Sequence, residues 1–207
     1  MNGAIDKMNN NETNNSEKTK PASSRFQIRI AFTALFAALT AAGAFIAIPL
    51  GPVPIVLQNL LAILSGLVLG PVLGSSAVGL FLLAGLLNFP VFSGGGGIAR
   101  FAGPTGGYLI GYLLAALTAG LIAGRPRANA SAKIFQLRVI IAVIAAFLVI
   151  YIPGLIWLKT RVNLDWGKTL LTGFVPFIIG DTLKGIAAVL IAPRLRRIAA
   201  DFLDDKN

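Results

Sequence analysis

From Phe26 to Ala199 the chain carries two acidic residues, Asp165 and Asp181; the remaining acids lie in its two tails. A water-soluble fold needs charge on its outer face, and ordinary domains are about 25% charged. Here 13% of residues are charged and 56% are hydrophobic. Lipid is the solvent that suits such a stretch. A span uses about 20 apolar residues, so six spans with their connections fill residues 25–199. The expectation is an all-α membrane protein, six transmembrane helices in a compact bundle. Residues 1–24, rich in Asn, Lys, Thr and Ser, read as a disordered cytoplasmic tail, and 200–207 as a cytoplasmic C-terminal tail. The opening segment lacks the short apolar core and cleavage site of a signal peptide, because the apolar run behind it has the length of a span.

Proline and glycine divide the apolar middle. Spans are expected at about 28–48, 55–69, 72–87, 105–123, 134–152 and 170–192. Three prolines in 49–54 stop a helix, Gly70-Pro71 breaks another, and 88–104 is a long glycine-rich connection. Lys and Arg then set the orientation. Arg25, Arg29, Arg125, Arg127, Lys133, Arg138, Arg194, Arg196 and Arg197 fall on one side of six spans. Arg100, Lys159, Arg161 and Lys168 fall on the other. The positive-inside rule places the first group, and both termini, in the cytoplasm. Loops 49–54, 88–104 and 154–169 then face outward. The net charge of +10 is a topology signal by this reading and not a nucleic-acid footprint. The chain has no Cys and no His, which excludes thiol chemistry, disulfides, His-based metal sites and the usual triads.

Two charges stand inside the membrane region. Asp181 and Lys184, in IIGDTLKGIAAVL, each cost about 2.5–3.5 kcal/mol near a helix centre, and their i, i+3 spacing puts them on one face. Two readings stand: an ion pair that only fixes packing, or the polar floor of a ligand pocket. A carboxylate accepts N–H groups and an ammonium donates to a carbonyl, so the pair suits a cyclic urea or amide. Arg100 is the one charge in the 88–104 loop, flanked by apolar residues. It reads either as a grip for a ligand carboxylate or as a solvated topology charge. Asn88 either reads a polar ring or caps a helix. Gln58 and Tyr151 enter or leave spans at pocket height, where interfacial Tyr is also common for structural reasons. The SGGGG run (residues 93–97) does not match a phosphate loop, which needs G-x-x-x-x-G-K-[ST] between strand and helix; a mobile lid fits it better. Ala34, Ala38 and Ala42 form a small-residue row on the first helix, suited either to internal packing or to docking of another subunit.

Several segments together resemble the BioY family, the biotin-specific substrate-binding (S) components of energy-coupling factor (ECF) transporters. They are ALFAALTAAGAFI, GPVPIVLQNL, GLVLGPVLG, NFPVFSGGGG, GPTGGYLIGY and GDTLKGIAAVLIAPRL. The resemblance implies a six-helix protein of the bacterial cell membrane that binds biotin from outside. It implies a membrane coupling subunit and two cytoplasmic ABC-type ATPases as partners, with no cofactor and no catalysis of its own. It assigns the ureido ring to Asp181, Lys184 and Asn88, the valerate carboxylate to Arg100, and the docking surface to the row Ala34, Ala38 and Ala42. Two alternatives keep the scaffold: a solitary biotin carrier, and an S component for another vitamin. An intramembrane enzyme using Asp181 and Lys184 as acid and base is a third, and no other residue pattern supports it.

Overall fold

The structure is a computed structural model that describes residues 22–124 and 132–203. The expected N-terminal tail up to residue 21, Arg125, Arg127 and residues 204–207 lie outside the described residues, as does the side chain of Lys133. The described chain is mostly helical, and five of its helices are long and apolar enough to cross a membrane.

Helix α1 spans Ala22–Ala42. Its threonines return their hydroxyls to the helix, Thr33 to the Arg29 carbonyl and Thr40 to that of Phe36, both at 2.8 Å, so neither presents an unmet donor to lipid. The helix was expected to reach Ile48 and instead ends at Ala42. Gly43 lies against the backbone of Gln58, where a Cβ would sit 3.0 Å from its nitrogen. The chain then turns, and Ala47–Ile48 (β1) pairs antiparallel with Ile55–Val56 (β2). The residue before a proline favours extended backbone, which suits Ile48 ahead of Pro49. Among the described residues this ribbon is the departure from an all-helical architecture.

Helix α2, Gln58–Leu86, was expected as two spans. It is continuous in sequence but broken at Gly70, which adopts φ 83° and ψ −178°. Residues eight apart in a straight helix are about 12 Å apart along the axis. Here a Cβ on Gly74 would lie 2.6 Å from the Gly66 Cα, and the Ser65 hydroxyl reaches both Ala62 O (2.7 Å) and Gly74 O (3.1 Å). The helix therefore doubles back, with limbs 58–69 and 71–86 in backbone contact. Only glycine at Gly66 and Gly74 permits this approach. Pro71 opens the second limb, where its missing N–H would have no helical partner anyway. At the far end Gln58 donates to Val91 O at 2.9 Å, which closes the hairpin.

A short helix α3 (Ile98–Phe101) lies inside the glycine-rich connection, and α4 follows at Gly106–Ala123. Its glycines, Gly107 and Gly111, press against the carbonyls of Pro153 and Ile150 on α5. Helix α5 spans Ala132–Val162 and passes through Pro153. It was expected to stop near residue 152, with a loop at 154–169. One missing donor is tolerated in a membrane helix when neighbours pack around it, and α4 does so here. At about 46 Å, α5 exceeds the roughly 30 Å hydrocarbon layer. Its last turns carry Lys159 over the Trp166 ring (5.3 Å) and Arg161 over Trp157 (4.8 Å), an arrangement typical of the membrane interface.

The expected sixth span, 170–192, is divided. Helix α6 (Trp166–Gly173) is capped by Asp165, whose side chain accepts from the Lys168 amide. A 3-10 turn (Val175–Phe177) follows, and α7 runs Ile178–Leu203. Pro176 thus ends the preamble and α7 begins two residues later.

The core gathers Ile63, Leu67, Val78, Phe81, Val139 and Leu158, all under 2% exposed. Outside it, Ile140, Ile144, Leu148, Ile152 and Ile156 form an exposed stripe along α5. In water such a stripe would be an aggregation surface; against acyl chains it is at home. Arg196 sits at the opposite end from the β1–β2 ribbon. It is 5% exposed, donates to the carbonyls of Leu67, Ala123 (2.9 Å) and Gly124 (2.7 Å), and stacks over Phe135 at 5.0 Å. It ties the first limb of α2, the end of α4 and the start of α5 to α7.

Candidate functional site

The side chains that carry polar chemistry meet at the ribbon end of the bundle. Asp181 lies in the first turn of α7, where the helix dipole favours a carboxylate. It is 7% exposed. Lys184 lies one turn on, and its ammonium is 2.9 Å from Asp181 Oδ1. The neighbour across the bundle is Asn59, the second residue of α2. Its amide donates to Asp181 Oδ1 at 2.9 Å, while its carbonyl accepts from Lys184 at 3.1 Å and from the Leu60 amide at 3.0 Å. Chemistry dictates that orientation, since N–H must face carboxylate and oxygen must face ammonium. Tyr151 on α5 donates its hydroxyl to Asp181 Oδ2. Three helices thus converge on one carboxylate.

The cluster forms part of the wall of a narrow cleft with a cavity volume of about 30 Å³. The β1–β2 ribbon contributes Val53, Pro54 and Val56; α2 contributes Gln58 and Asn59; the glycine-rich connection contributes Phe92 and Ser93. Helix α4 adds Tyr108, Leu109 and Tyr112 behind Thr105, and Phe177 sits at the entrance to α7. The lining is mostly apolar with a few convergent polar groups, the usual make-up of a small-molecule site. The aromatics brace one another: Tyr151 meets Tyr108 at 6.2 Å and Phe174 at 4.8 Å, both edge to face, and the Tyr108 hydroxyl donates to Gly173 O at 2.8 Å.

Of the residues singled out from sequence, Asp181, Lys184, Gln58 and Tyr151 share this cleft. Asn88 and Arg100 are not among its lining residues. Asn88 ends the second limb of α2 in left-handed backbone (φ 74°) and is exposed, with its side chain beside Gly97. Arg100 donates from Nε to Ser93 O at 2.8 Å and again from Nη2, clasping the turn that Phe92 and Gly95 close. It stands one residue behind the cleft wall, because Ser93 is part of that wall. Asn59 was not singled out. It follows Gln58 at a helix start, where an amide reads as an interfacial residue, and its partner lies 122 residues away. In α1 the row Ala34, Ala38 and Ala42 is exposed, whereas Ala37, which with Ala41 forms a parallel row, is buried.

A profile of the BioY family matches residues 13–201. The chain belongs to the BioY family. Among curated relatives, a protein named probable biotin transporter BioY from Pyrococcus horikoshii is 42% identical over 168 residues, which is 81% of this chain and 95% of that one. The biotin transporter BioY of Thermotoga maritima is 39% identical with the same two coverages. In three dimensions the chain is similar to the crystal structure of the S-component for biotin from an ECF-type ABC transporter. That match has a TM-score of 0.72 and 31% identity, and it covers 86% of this chain and 95% of the other. This BioY protein is therefore a multi-pass membrane protein of a transporter family, and its apolar outer surface faces lipid.

Proposed function

We propose that this BioY protein is the biotin-binding component of an ECF-type importer, that it takes biotin into the cleft beside Asp181, and that partner ATPases energise uptake. One observation carries the reading. A carboxylate, an ammonium and an amide are held together, nearly dry, on the wall of a cleft otherwise lined by apolar and aromatic side chains. Burying such a trio is expensive, and its internal bonds use two of the three Lys184 N–H groups, which leaves one for a ligand. Biotin offers ureido N–H donors and a ureido carbonyl at one end, an apolar middle, and a carboxylate at the other end. In the proposed assignment Asp181 faces the ureido N–H groups, Lys184 faces the carbonyl, Asn59 holds both charges in place, and Gln58 and Tyr151 flank the ring.

Arg100 supplies the cation for the valerate carboxylate by exchanging its bonds to Ser93 O for the ligand. Its present bonds to a main-chain oxygen hold it one residue from the cleft, and glycines 94, 95 and 97 give the loop positive-φ joints on which to move. Asn88 acts at the hinge of that loop or reaches the ring once the loop moves. The role is one of binding and translocation, not catalysis.

In this reading the hairpin at Gly70 makes six crossings from the five long helices, with a buried first limb of about 18 Å and a second of about 24 Å that exposes Val72, Leu80 and Leu83. Both termini are cytoplasmic in this reading, and the cleft opens outward. Arg25, Arg29, Arg138, Arg194, Arg196 and Arg197 sit at the end away from the cleft, in keeping with positive-inside bias. The exposed row Ala34, Ala38 and Ala42 is the face for a membrane coupling subunit.

A calorimetric screen of the purified protein with biotin, thiamine, riboflavin and niacin tests the assignment. Biotin alone is expected to bind. Preference for another vitamin would overturn it. Uptake by this chain alone in vesicles, without ATPases, would favour a solitary carrier.

A further inference from the structure

We infer that Tyr112 is a ligand contact, and that its hydroxyl donates to the carbonyl oxygen of the cyclic urea bound beside Asp181. The inference rests on the biotin reading above and adds a specificity-determining residue to it.

Three tyrosines occur in the chain, and all three line the cleft. Two are committed: Tyr108 donates to Gly173 O and Tyr151 to Asp181 Oδ2. Tyr112 is 6% exposed, yet its hydroxyl forms none of the hydrogen bonds found among the described residues. A buried phenol without a partner is costly, and tyrosine hydroxyls almost always find one. Every fully sealed side-chain nitrogen or oxygen among the described residues does have a partner. The Tyr112 oxygen is therefore not sealed in protein, and the cleft is the space it meets. A ring this deeply packed on α4 loses no further freedom on binding, so the hydroxyl is preorganised.

The polar inventory of the wall says what it meets. Asp181 Oδ1 already accepts from Asn59 and Lys184, and Oδ2 accepts from Tyr151. The remaining lone pair of Oδ2 suits a ligand N–H. The carbonyl oxygen of a urea has two lone pairs and needs two donors. Lys184 has used two of its three N–H groups, which leaves one. The Tyr112 hydroxyl is the second. A site built in this way rejects a ring that lacks a good acceptor, because the phenol is then left unpaired.

The test is isothermal titration of the purified full chain with biotin and with its cyclic thiourea analogue, in wild type and Tyr112→Phe. Sulfur is a weak acceptor. The expected result is an affinity for biotin about tenfold lower in Tyr112→Phe, equivalent to about 1.4 kcal/mol, with little change for the thiourea. Equal biotin affinity in the two proteins overturns the inference. Absence of biotin binding by the wild type would instead overturn the functional reading beneath it. Should Tyr112→Phe not fold, wild-type protein labelled with 3-fluorotyrosine gives a second readout. Its three fluorine lines are assigned by difference with Tyr108→Phe and Tyr151→Phe. The Tyr112 line is expected to move on adding biotin and to move less with the thiourea. A line equally displaced by both, or by neither, overturns the inference.

Discussion

Replacing Asn59 by leucine removes one side chain and unsettles two charges. The amide bonds Asp181 Oδ1 at 2.9 Å and receives Lys184 at 3.1 Å. Interhelical polar contacts in membranes average about 0.6 kcal/mol and reach about 1.7. Both bonds here involve a buried ion, so the upper value applies to each, and the loss is about 3 kcal/mol. For a chain of this size that lowers Tm by about 6–12 °C. Asp181 and Lys184 remain paired with each other, so the variant folds. The ligand must then fix a carboxylate that α2 no longer holds. If half of the lost energy reappears as an ordering cost, biotin affinity falls about tenfold. Thermal melting followed by tryptophan fluorescence, with titration calorimetry on the same preparation, checks both numbers. A variant that melts within about 2 °C of wild type and binds biotin unchanged would refute the view that Asn59 holds the pair in register.

Arg196→Met strips a guanidinium from three helix carbonyls at the far end of the bundle; we expect a loss of about 3 kcal/mol, read as a lower melting temperature with biotin affinity unchanged. Gly74→Leu forces a side chain into the Gly66 backbone, and the protein is expected not to accumulate in membranes, as measured by fractionation and blotting. Ala38→Trp, on the exposed row of α1, is expected to leave biotin binding intact and to abolish uptake in cells that hold the partner subunits. The bond from the Lys168 amide holds the exposed Asp165 carboxyl below the usual carboxylate range. A depressed folded pKa contributes stability above the unfolded value and loses it as pH falls through the folded one, so the α6 cap is expected to loosen only under acid, seen as faster amide exchange at Lys168.

Much of this was legible because membranes impose hard rules. An acid and an amine inside a lipid-facing stretch stand out by their expense, and Asp181 and Lys184 were visible for that reason. Gly70-Pro71 announced a break, since proline cannot donate and glycine can reverse the chain. The fifth span was expected to end at about 152, just ahead of Pro153, and there the structure differs. The helix continues because the glycine face of α4 packs around the gap, a property of a different segment. Asn59 and Arg196 were hidden for a related reason. Their sequence surroundings read as an interfacial amide and a topology charge, and their partners come from helices far along the chain. Arg100 marked its loop as special, but a glycine-rich turn has no periodicity from which to read where a guanidinium points. The alanine rows were visible as rows, but which faces outward depends on how α1 lies on α2.

The proposed function turns on the carboxylate of Asp181 reading a ureido N–H. The direct measurement is titration of biotin into purified wild type and Asp181→Asn, with melting curves showing that both are folded. Saturable binding by wild type, weakened at least a hundredfold in the variant, is the predicted result. Equal binding by the two folded proteins, or none by the wild type, would contradict it.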